Sequence, residues 1–598
     1  MKLKYTLPKV SFAETLRVYR RFGSHLAGRR GKIALSGVAG LGISLLTIAR
    51  PWPIKIALDY ILMPTSAGRK RDVFDWLLQW DITSIIALTA AAVLIIAALR
   101  GLCAYGQEVL AKSVGHQIEA EIRLGLFSHI QRLPQSYHDY RETGELITRL
   151  TGDINLLQEM LVSTWVTLGS QVIIITGMLA LMFWIDPTLA LVGLAVMPLF
   201  LLAAFRFSGR IQRSARHQRE KFGKMVASVQ ESFAGIAQVK GFARERQRER
   251  LIGKSVGRDY SANLKTTKLT ASYARAVEMI TAVGTAAVLW IGIHRALEGI
   301  ITAGDLIIFI TYLRGVYRPL QNIARHTTKV AKALSRAEKI SEIFDLQPEV
   351  QDIPNPISAA EVRWDFAFKD VSFTYESGKR ALDGFTCEIP AGKTTLIVGQ
   401  TGAGKSTIAK LLLRLYSPDQ GVITLDNRNI ADYRIRSLRK RLTPLTQDAF
   451  LFRTSVRENI AFGKPGSSDA EIVGAALLVG AESFIADLPD GYETLVGEGG
   501  ATLSGGQRQL ISFARAALRN TPVMILDEPA TGMDIYTEAH TRKAIEALCA
   551  DRTFVIITHR LNFLELADWV IFVRNGAAVE SGAPADLLGR ESALRDYV

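Results

Sequence analysis

Two glycine-rich loops in the sequence carry residue types that bind phosphate. The first, GQTGAGKST, joins the apolar run 394–399 to the helix-like run IAKLLLRLY. Glycines let backbone N–H groups close on phosphates, a lysine reaches the outer phosphates, and a hydroxyl binds Mg²⁺. The loop therefore predicts a site for a nucleoside triphosphate and Mg²⁺. Its predicted contacts are Gly399, Gln400, Thr401, Gly402, Ala403, Gly404, Lys405, Ser406 and Thr407.

The second loop, LSGGQRQ at 503–509, has a different design. Ser504, Gly505, Gly506 and Gln507 stand at the predicted start of a helix, where unpaired backbone N–H groups favour an anion. One chain thus has two loops suited to phosphate. The residues alone leave open which phosphate the second loop contacts.

Two carboxylates and a histidine follow apolar runs that read as buried strands. VMILDE ends in Asp527 and Glu528, and the next run, TFVIIT, leads to His559. Asp527 suits a bond to Mg²⁺, Glu528 can polarise an attacking water, and the His559 imidazole can contact the γ-phosphate. Each residue alone is weak evidence, because such strand ends are common. Together with Lys405 in the first loop, they predict ATP hydrolysis.

The elements that must position these residues fall into two halves. Beyond residue 365 the chain alternates strand-like and helix-like runs, which predicts an α/β domain of the P-loop class over 365–598, after a linker at 341–364. The first half carries long apolar runs instead. The fold class is therefore multidomain, with an all-α domain followed by an α/β domain.

Six runs in the first half are long and apolar enough to cross a bilayer, which takes about 20 residues per helix. We expect a six-helix transmembrane domain over 33–340, preceded by a cytoplasmic segment at 1–32. Buried helices of a soluble protein are the alternative, but TSIIALTAAAVLIIAAL has no polar face. The predicted spans are 33–62, 83–104, 161–185, 187–206, 275–297 and 301–322.

The charge distribution predicts the orientation of these spans. The net charge is +15, and basic residues crowd before the first apolar run and between 206 and 268. Cytoplasmic segments gather positive charge, so we place both termini and the α/β domain in the cytoplasm, at the cell membrane. The connections 105–160 and 207–274 are then cytoplasmic and read as helical throughout, while WIDPT is a short external turn.

Anionic lipid explains the positive charge more simply than nucleic acid, so no nucleic-acid partner is expected. Three separated cysteines and unclustered histidines predict neither a disulfide framework nor a metal site made of protein ligands alone. Ionisable residues inside apolar runs are functional candidates, although pairing or an interfacial location is the simpler explanation. They are Lys55, Asp59, Arg100, Glu278 and Arg314.

These motifs resemble those of ABC transporters, and the resemblance covers the whole chain. LSGGQRQ matches the family's signature loop, TLVGEGG and ADLPDGYET resemble exporter cassettes, and SYHDYRETGELITRLTGDINLLQ resembles a segment of six-helix bacterial multidrug and lipid exporters. The resemblance implies that Tyr375 stacks on adenine, that Gln447 contacts Mg²⁺, and that turns near 136–142 and 233–241 are coupling helices. It also assigns His559 as the switch histidine.

The resemblance also answers which phosphate the second loop contacts. In that family the signature loop caps ATP held by the first loop of a second cassette, so Ser504 would face a partner's nucleotide. We therefore expect a dimer of half-transporters, of identical or different chains. Asp534 matches the family, but PATGMD at 529–534 departs from its usual sequence, which puts coupling between the two sites in question.

The predicted function is ATP-driven export or lipid flipping of a hydrophobic or amphipathic substrate. An importer on the same fold, an ATP-gated channel or regulator, and a soluble ATPase of DNA repair or translation are the alternatives. The six apolar spans disfavour the soluble ATPase.

Overall fold

A computed structural model describes residues 12–62, 74–347, 351–530, 535–549, 552–589 and 591–597. It divides into two compact units. The first unit comprises the chain up to Ser128 and Ile147–Asp345, and the second comprises His129–Leu146 and the chain from Leu346 onward. Asp534, with most of the PATGMD run, and the first eleven residues of the predicted segment 1–32 lie outside the described residues.

The chain up to Asp345 is helical in every described element. Three short π-helical segments, Leu58–Leu62, Arg149–Asp153 and Met160–Thr164, interrupt the α-helices, and Asp75–Gln79 is a 3₁₀ turn. The α-helices are Phe12–Phe22 (α1), Ser24–Ala27 (α2), Arg30–Ala49 (α3), Trp52–Ala57 (α4), Ile82–Ile130 (α5), Gln135–Tyr140 (α6), Thr143–Thr148 (α7), Ile154–Glu159 (α8), Trp165–Ile185 (α9), Pro187–Ala195 (α10), Met197–Ala234 (α11), Ile236–Gly241 (α12), Glu245–Leu297 (α13) and Ala303–Asp345 (α14).

Five helical stretches in the described residues are long and apolar enough to span a membrane: Arg30–Leu62, Ile82–Ile130, Thr143–Ile185, Pro187–Ala234 and Glu245–Leu297. The sixth predicted span falls in the first part of α14, where Asp305, Arg314 and Arg318 make the helix less apolar. Two spans expected to be single helices are broken, one before Pro51 and one before Pro198. Proline lacks the N–H that continues a helix, so each break has a local cause.

The two long connections depart from continuous helix at their tips. The first is interrupted at 131–134 and at 141–142, on either side of α6, and the second at Gly235 and at 242–244, on either side of α12. These breaks isolate two six-residue helices, α6 and α12, at the positions where the sequence predicts coupling helices. Helix α6 belongs to the second unit.

A buried ionic cluster joins α4 and the following π segment to the start of α14. Lys55 Nζ lies 3.2 Å from Asp59 Oδ2 and 2.9 Å from Asp305 Oδ1. Asp59 also accepts hydrogen bonds from the Thr302 hydroxyl at 2.6 Å and the Gly304 N–H at 2.8 Å. Buried charges persist when they are paired and hydrogen-bonded, so this geometry agrees with pairing, the simpler explanation for Lys55 and Asp59.

The other ionisable candidates in the apolar runs are exposed in this chain. Arg100 Nε donates to Thr47 Oγ1 at 3.3 Å, and Glu278 pairs with Arg275 one helical turn away. Whether Arg100, Glu278 and Arg314 line a substrate pathway stays a prediction.

The second unit is built on two sheets. Its strands are Phe366–Thr374 (β1), Arg380–Ile389 (β2), Thr394–Gly399 (β3), Gln420–Leu425 (β4), Arg428–Asn429 (β5), Leu442–Leu445 (β6), Val523–Asp527 (β7), Thr553–Thr558 (β8), Trp569–Arg574 (β9) and Ala577–Gly582 (β10). Its helices are Lys405–Leu412 (α15), Ile435–Arg441 (α16), Val456–Ala461 (α17), Asp469–Leu478 (α18), Glu482–Ala486 (α19), Gly505–Arg519 (α20), Ile535–Cys549 (α21) and Pro584–Leu588 (α22), with 3₁₀ turns at Ile430–Asp432, Gly491–Glu493, Glu498–Gly500 and Leu561–Leu566.

The larger sheet has the order β10-β9-β3-β8-β7-β6, parallel except for β10. The smaller sheet is antiparallel, with the order β2-β1-β4-β5. Strand β8 is buried at every position, as is β3, because helices and the second sheet cover both faces. The carboxyl ends of β3, β6, β7 and β8 meet at one edge, which is where ligands bind in such sheets.

Candidate active site

The first glycine-rich loop turns from β3 into α15, where the backbone passes too close to its neighbours for any side chain. A Cβ on Gly399 would lie 2.1 Å from the Val573 carbonyl oxygen, and one on Gly404 would lie 2.3 Å from that of Ala381. Gly404 also adopts φ 100°, a left-handed conformation that favours glycine. The loop shape therefore depends on these two glycines.

Lys405 begins α15 and lies buried beneath the loop. Its Nζ donates to the Gly399 carbonyl at 2.8 Å and to the Gln400 carbonyl at 3.0 Å. Burial lowers the pKa of Lys405, and the nearby carboxylates of Glu528 and Asp527 oppose that effect. The ammonium group is thus held inside the loop where phosphate oxygens could replace the two carbonyls.

Two oxygen ligands adjoin the loop. Ser406 Oγ donates to Asp527 Oδ1 at 3.0 Å, which links the start of α15 to the end of β7. Burial raises the pKa of Asp527, the Glu528 charge adds to the rise, and the Ser406 hydrogen bond counteracts it. A hydroxyl beside a carboxylate is the kind of oxygen donor set that Mg²⁺ accepts, so the residues fit this ion.

Glu528 stands just beyond β7 with φ 51°, which is unusual for a residue with a side chain. Its N–H donates to the Ile557 carbonyl at 2.8 Å, so strand β8 holds this backbone in place. Its carboxylate accepts a hydrogen bond from His559 Nδ1 at 2.9 Å and one from the Thr558 hydroxyl at 3.3 Å. Sequence reasoning missed Thr558, although its position directly before His559 was the available signal.

Tyr375 lies on the loop after β1 and is half-buried. Its hydroxyl is 3.0 Å from Thr407 Oγ1, and its ring meets the Phe373 and Tyr416 rings edge to face. A hydrogen bond therefore joins the residue predicted to stack on adenine to α15, the helix that follows the first loop.

The second loop opens α20 with a reciprocal cap. The Gln507 N–H donates to Ser504 Oγ at 3.2 Å, and the Ser504 N–H donates to Gln507 Oε1 at 2.9 Å. The Gln507 side chain therefore caps the helix, while Ser504 and Gly505 are exposed. Within the described residues, no hydrogen bond or ion pair joins this loop to the first one.

Gln447 is exposed on the loop that follows β6. Because β6 pairs in parallel with β7, this loop leaves the sheet at the same edge as Asp527. The structure thus brings the first loop, Gln447, Asp527, Glu528 and His559 to one edge.

Comparison with known proteins identifies the chain. A family model described as the ABC transporter transmembrane region matches residues 33–320, and one described as ABC transporter matches residues 382–531. The ATP-dependent lipid A-core flippase of Desulfotalea psychrophila is 31% identical over 92% of this chain and 93% of its own length. The chain is an ABC transporter.

Two further relatives of this ABC transporter span nearly all of it. An uncharacterized ABC transporter ATP-binding protein of Bacillus subtilis, YknV, is 32% identical over 92% of this chain and 90% of its own. The solved structure of a bacterial Atm1-family ABC exporter with ATP bound matches with a TM-score of 0.75 and 27% identity, over 96% of this chain and 98% of that one.

The transporter is therefore a multi-pass membrane protein whose helical region is followed by a nucleotide-binding, ATP-hydrolysing domain coupled to transport. This confirms the predicted fold class. One helical region with one ATPase domain is half of an ABC exporter, so dimerisation is part of its architecture.

Proposed function

We propose that this ABC transporter is an ATP-driven exporter, or a flippase, for an amphipathic lipid-like or other hydrophobic substrate, and that it works as a homodimer. One observation carries the proposal: the Glu528 carboxylate is hydrogen-bonded to His559 and adjoins Asp527, with Lys405 nearby. That arrangement can deprotonate a water beside a bound terminal phosphate, which a regulator with little hydrolysis does not need.

Each residue of the site has a distinct role in ATP hydrolysis. Lys405 and the loop N–H groups hold the phosphates, while Ser406, Asp527 and Gln447 would hold Mg²⁺. When bound, Mg²⁺ neutralises charge on the β- and γ-phosphates. Glu528 orients and polarises the attacking water, and His559 fixes the Glu528 carboxylate and can reach the γ-phosphate. Tyr375 stacks on adenine.

A second copy of the chain completes each site. Ser504 and Gly505 are exposed and Gly506 is half-buried, and within the described residues none of the three has a hydrogen bond or ion pair to the first loop of its own chain. Their backbone N–H groups at the start of α20 are suited to a γ-phosphate held by a partner. Two chains supply both loops twice, so a homodimer needs no other subunit.

The relatives support the proposed direction and substrate class. The flippase relative moves lipid A-core, and the matched Atm1-family structure is an exporter, so an importer is not favoured. The cationic segments between 206 and 268 favour a cytoplasmic location for those parts of α11 and α13, and hence for the ATPase domain.

Transport into inside-out vesicles tests the proposal. The full-length chain would be reconstituted in proteoliposomes, and ATP-dependent movement of a fluorescent anionic lipid and of a hydrophobic cationic dye would be measured beside Glu528→Gln. We expect uphill movement of at least one probe away from the cassette side, absent in the variant. Downhill movement alone would favour the channel alternative, and movement toward the cassette side would overturn export.

A further inference from the structure

The short helix α6 makes contacts beside the predicted adenine ring. Asp139 Oδ2 accepts a hydrogen bond from the Tyr416 hydroxyl at 2.7 Å and lies 3.3 Å from Lys410 Nζ. These residues all belong to the second unit. Burial would raise the pKa of Asp139, but the hydrogen bonds from Tyr416 and Gln135 and the Lys410 charge bring the pKa below its usual value, so Asp139 is a carboxylate at neutral pH.

Lys410 connects this carboxylate with the ring of Tyr375. Its Nζ lies 5.4 Å from the centre of the Tyr375 ring and 5.6 Å from that of Tyr416. The two rings are 5.6 Å apart and nearly perpendicular. A cation over an aromatic face constrains where that ring can lie, and here Asp139 constrains the cation.

Tyr140, the residue after Asp139, contacts the loop that follows Tyr375. Its hydroxyl accepts a hydrogen bond from the Ser377 N–H at 2.9 Å, two residues beyond Tyr375. The turn itself is closed by hydrogen bonds from the Gly378 N–H to the Tyr375 carbonyl and from the Tyr375 N–H to the Lys379 carbonyl. Two adjacent residues of α6 thus contact the tyrosine loop from two directions.

We propose that Asp139 and Tyr140 are positioning residues for the nucleotide base: Asp139 acts through Lys410 and Tyr416, Tyr140 acts through Ser377, and together they fix the Tyr375 ring for stacking. The inference rests on the proposed role of Tyr375. The Asp139 and Lys410 side chains are 31% and 34% exposed, and ion pairs this exposed contribute little to the free energy of unfolding. The contribution of the Asp139–Lys410 pair therefore lies in placing the ring rather than in stability.

The test compares a strongly stacking base with a weakly stacking one. For full-length Asp139→Asn we expect KM for ATP to rise about threefold to tenfold. The rise is smaller than that expected when the aromatic stacking partner itself is removed, because the Tyr375 ring is still present. KM for CTP should change less than about twofold, since a pyrimidine gains less from the ring, and kcat should fall little. Tyr416→Phe and Tyr140→Phe should show the same pattern more weakly. Lys410→Arg keeps the cation and should therefore stay close to wild type.

A double-mutant cycle makes the test decisive. If Asp139 acts through Tyr375, Asp139→Asn added to Tyr375→Ala should raise KM for ATP no further. Asp383→Asn, the same acid-to-amide change at an exposed pair with Arg380, is the matched control and should leave KM unchanged. Additive effects, or equal losses with ATP and CTP, would overturn the positioning role alone. Unchanged KM in Tyr375→Ala itself would overturn the stacking assignment and this inference with it.

Discussion

The carboxylate proposed as the catalytic base is held by backbone conformation as much as by its neighbours. Glu528 keeps φ 51° because its N–H is tied to the Ile557 carbonyl on β8, and this turns its side chain toward His559. Such strain at a single residue persists only where the surroundings enforce it, and it clusters at functional sites. The parallel pairing of β7 with β8 therefore sets the position of the carboxylate.

Glu528 and His559 should behave as one unit in kinetics. We expect Glu528→Gln to lower kcat by about 10²- to 10⁴-fold, the range for a lost general base. His559→Ala should cost less, because the carboxylate remains. The double variant should be no slower than Glu528→Gln, since His559 acts through the carboxylate it orients.

Steady-state ATPase assays with parallel nucleotide-binding measurements check this prediction. Binding should persist in all three variants, because Lys405 and the loop are unchanged. A double variant as slow as the product of the two single losses would show that His559 acts independently of Glu528.

At the scale of elements, the cluster of Lys55, Asp59 and Asp305 fastens two helices that are far apart in sequence. Gly304 belongs to the same contact, because a Cβ there would lie 2.6 Å from both Asp59 Oδ2 and Lys55 Cγ. The backbone of α14 can approach the π segment only with glycine at this position.

Gly304→Ala should therefore destabilise the helical unit by about 1–3 kcal/mol, the usual cost of overpacking. Gly125→Ala in α5 is the matched control, since among the described residues no atom outside the adjacent helical backbone lies within 4 Å of the added Cβ. Thermal unfolding in detergent measures both. Equal melting temperatures for the two variants would contradict the predicted close contact.

Elements could be predicted from the sequence where neighbouring residues alone determine them. The loop from Gly399 to Ser406 and the strand ends at Asp527 and His559 could be read directly, because motif, apolar strand and helix adjoin one another. Pro51 and Pro198 are local signals for the two helix breaks, which the apolar character of the runs does not indicate. By contrast, the pairing of Lys55 with Asp305 and the contacts of Asp139 with Tyr416 join residues hundreds of positions apart, and no single-sequence periodicity contains that information.

At the scale of the whole molecule, the sequence has one of each phosphate loop. In the part of the chain that the structure describes, no hydrogen bond or ion pair joins the two loops. The proposed chemistry would therefore depend on assembly of two chains. The proposed dimer of identical chains would contain two composite sites, each made of Lys405 from one chain and Ser504 from the other.

Mixing two defective chains tests this arrangement. Lys405→Ala removes the first loop's cation, and Ser504→Asp retains a helix cap while placing a negative charge where the γ-phosphate would lie. Each variant alone should lose ATPase activity. A co-expressed mixed dimer should recover a substantial part, roughly half if the sites are independent, because one site then combines both intact loops. Absence of any recovery would contradict sharing of sites between chains.

At each of the three π segments, one inserted residue sets which faces of the helix point toward its neighbours. Each holds one residue more than an α-helical turn would, and one of them ends at Asp153, buried between Arg149 and Arg336. Deleting one residue there would restore a regular helix and turn everything on one side by about 100°. Two transporters that differ by that one deletion, and by no substitution, would present different side chains of the same helix to their cargo.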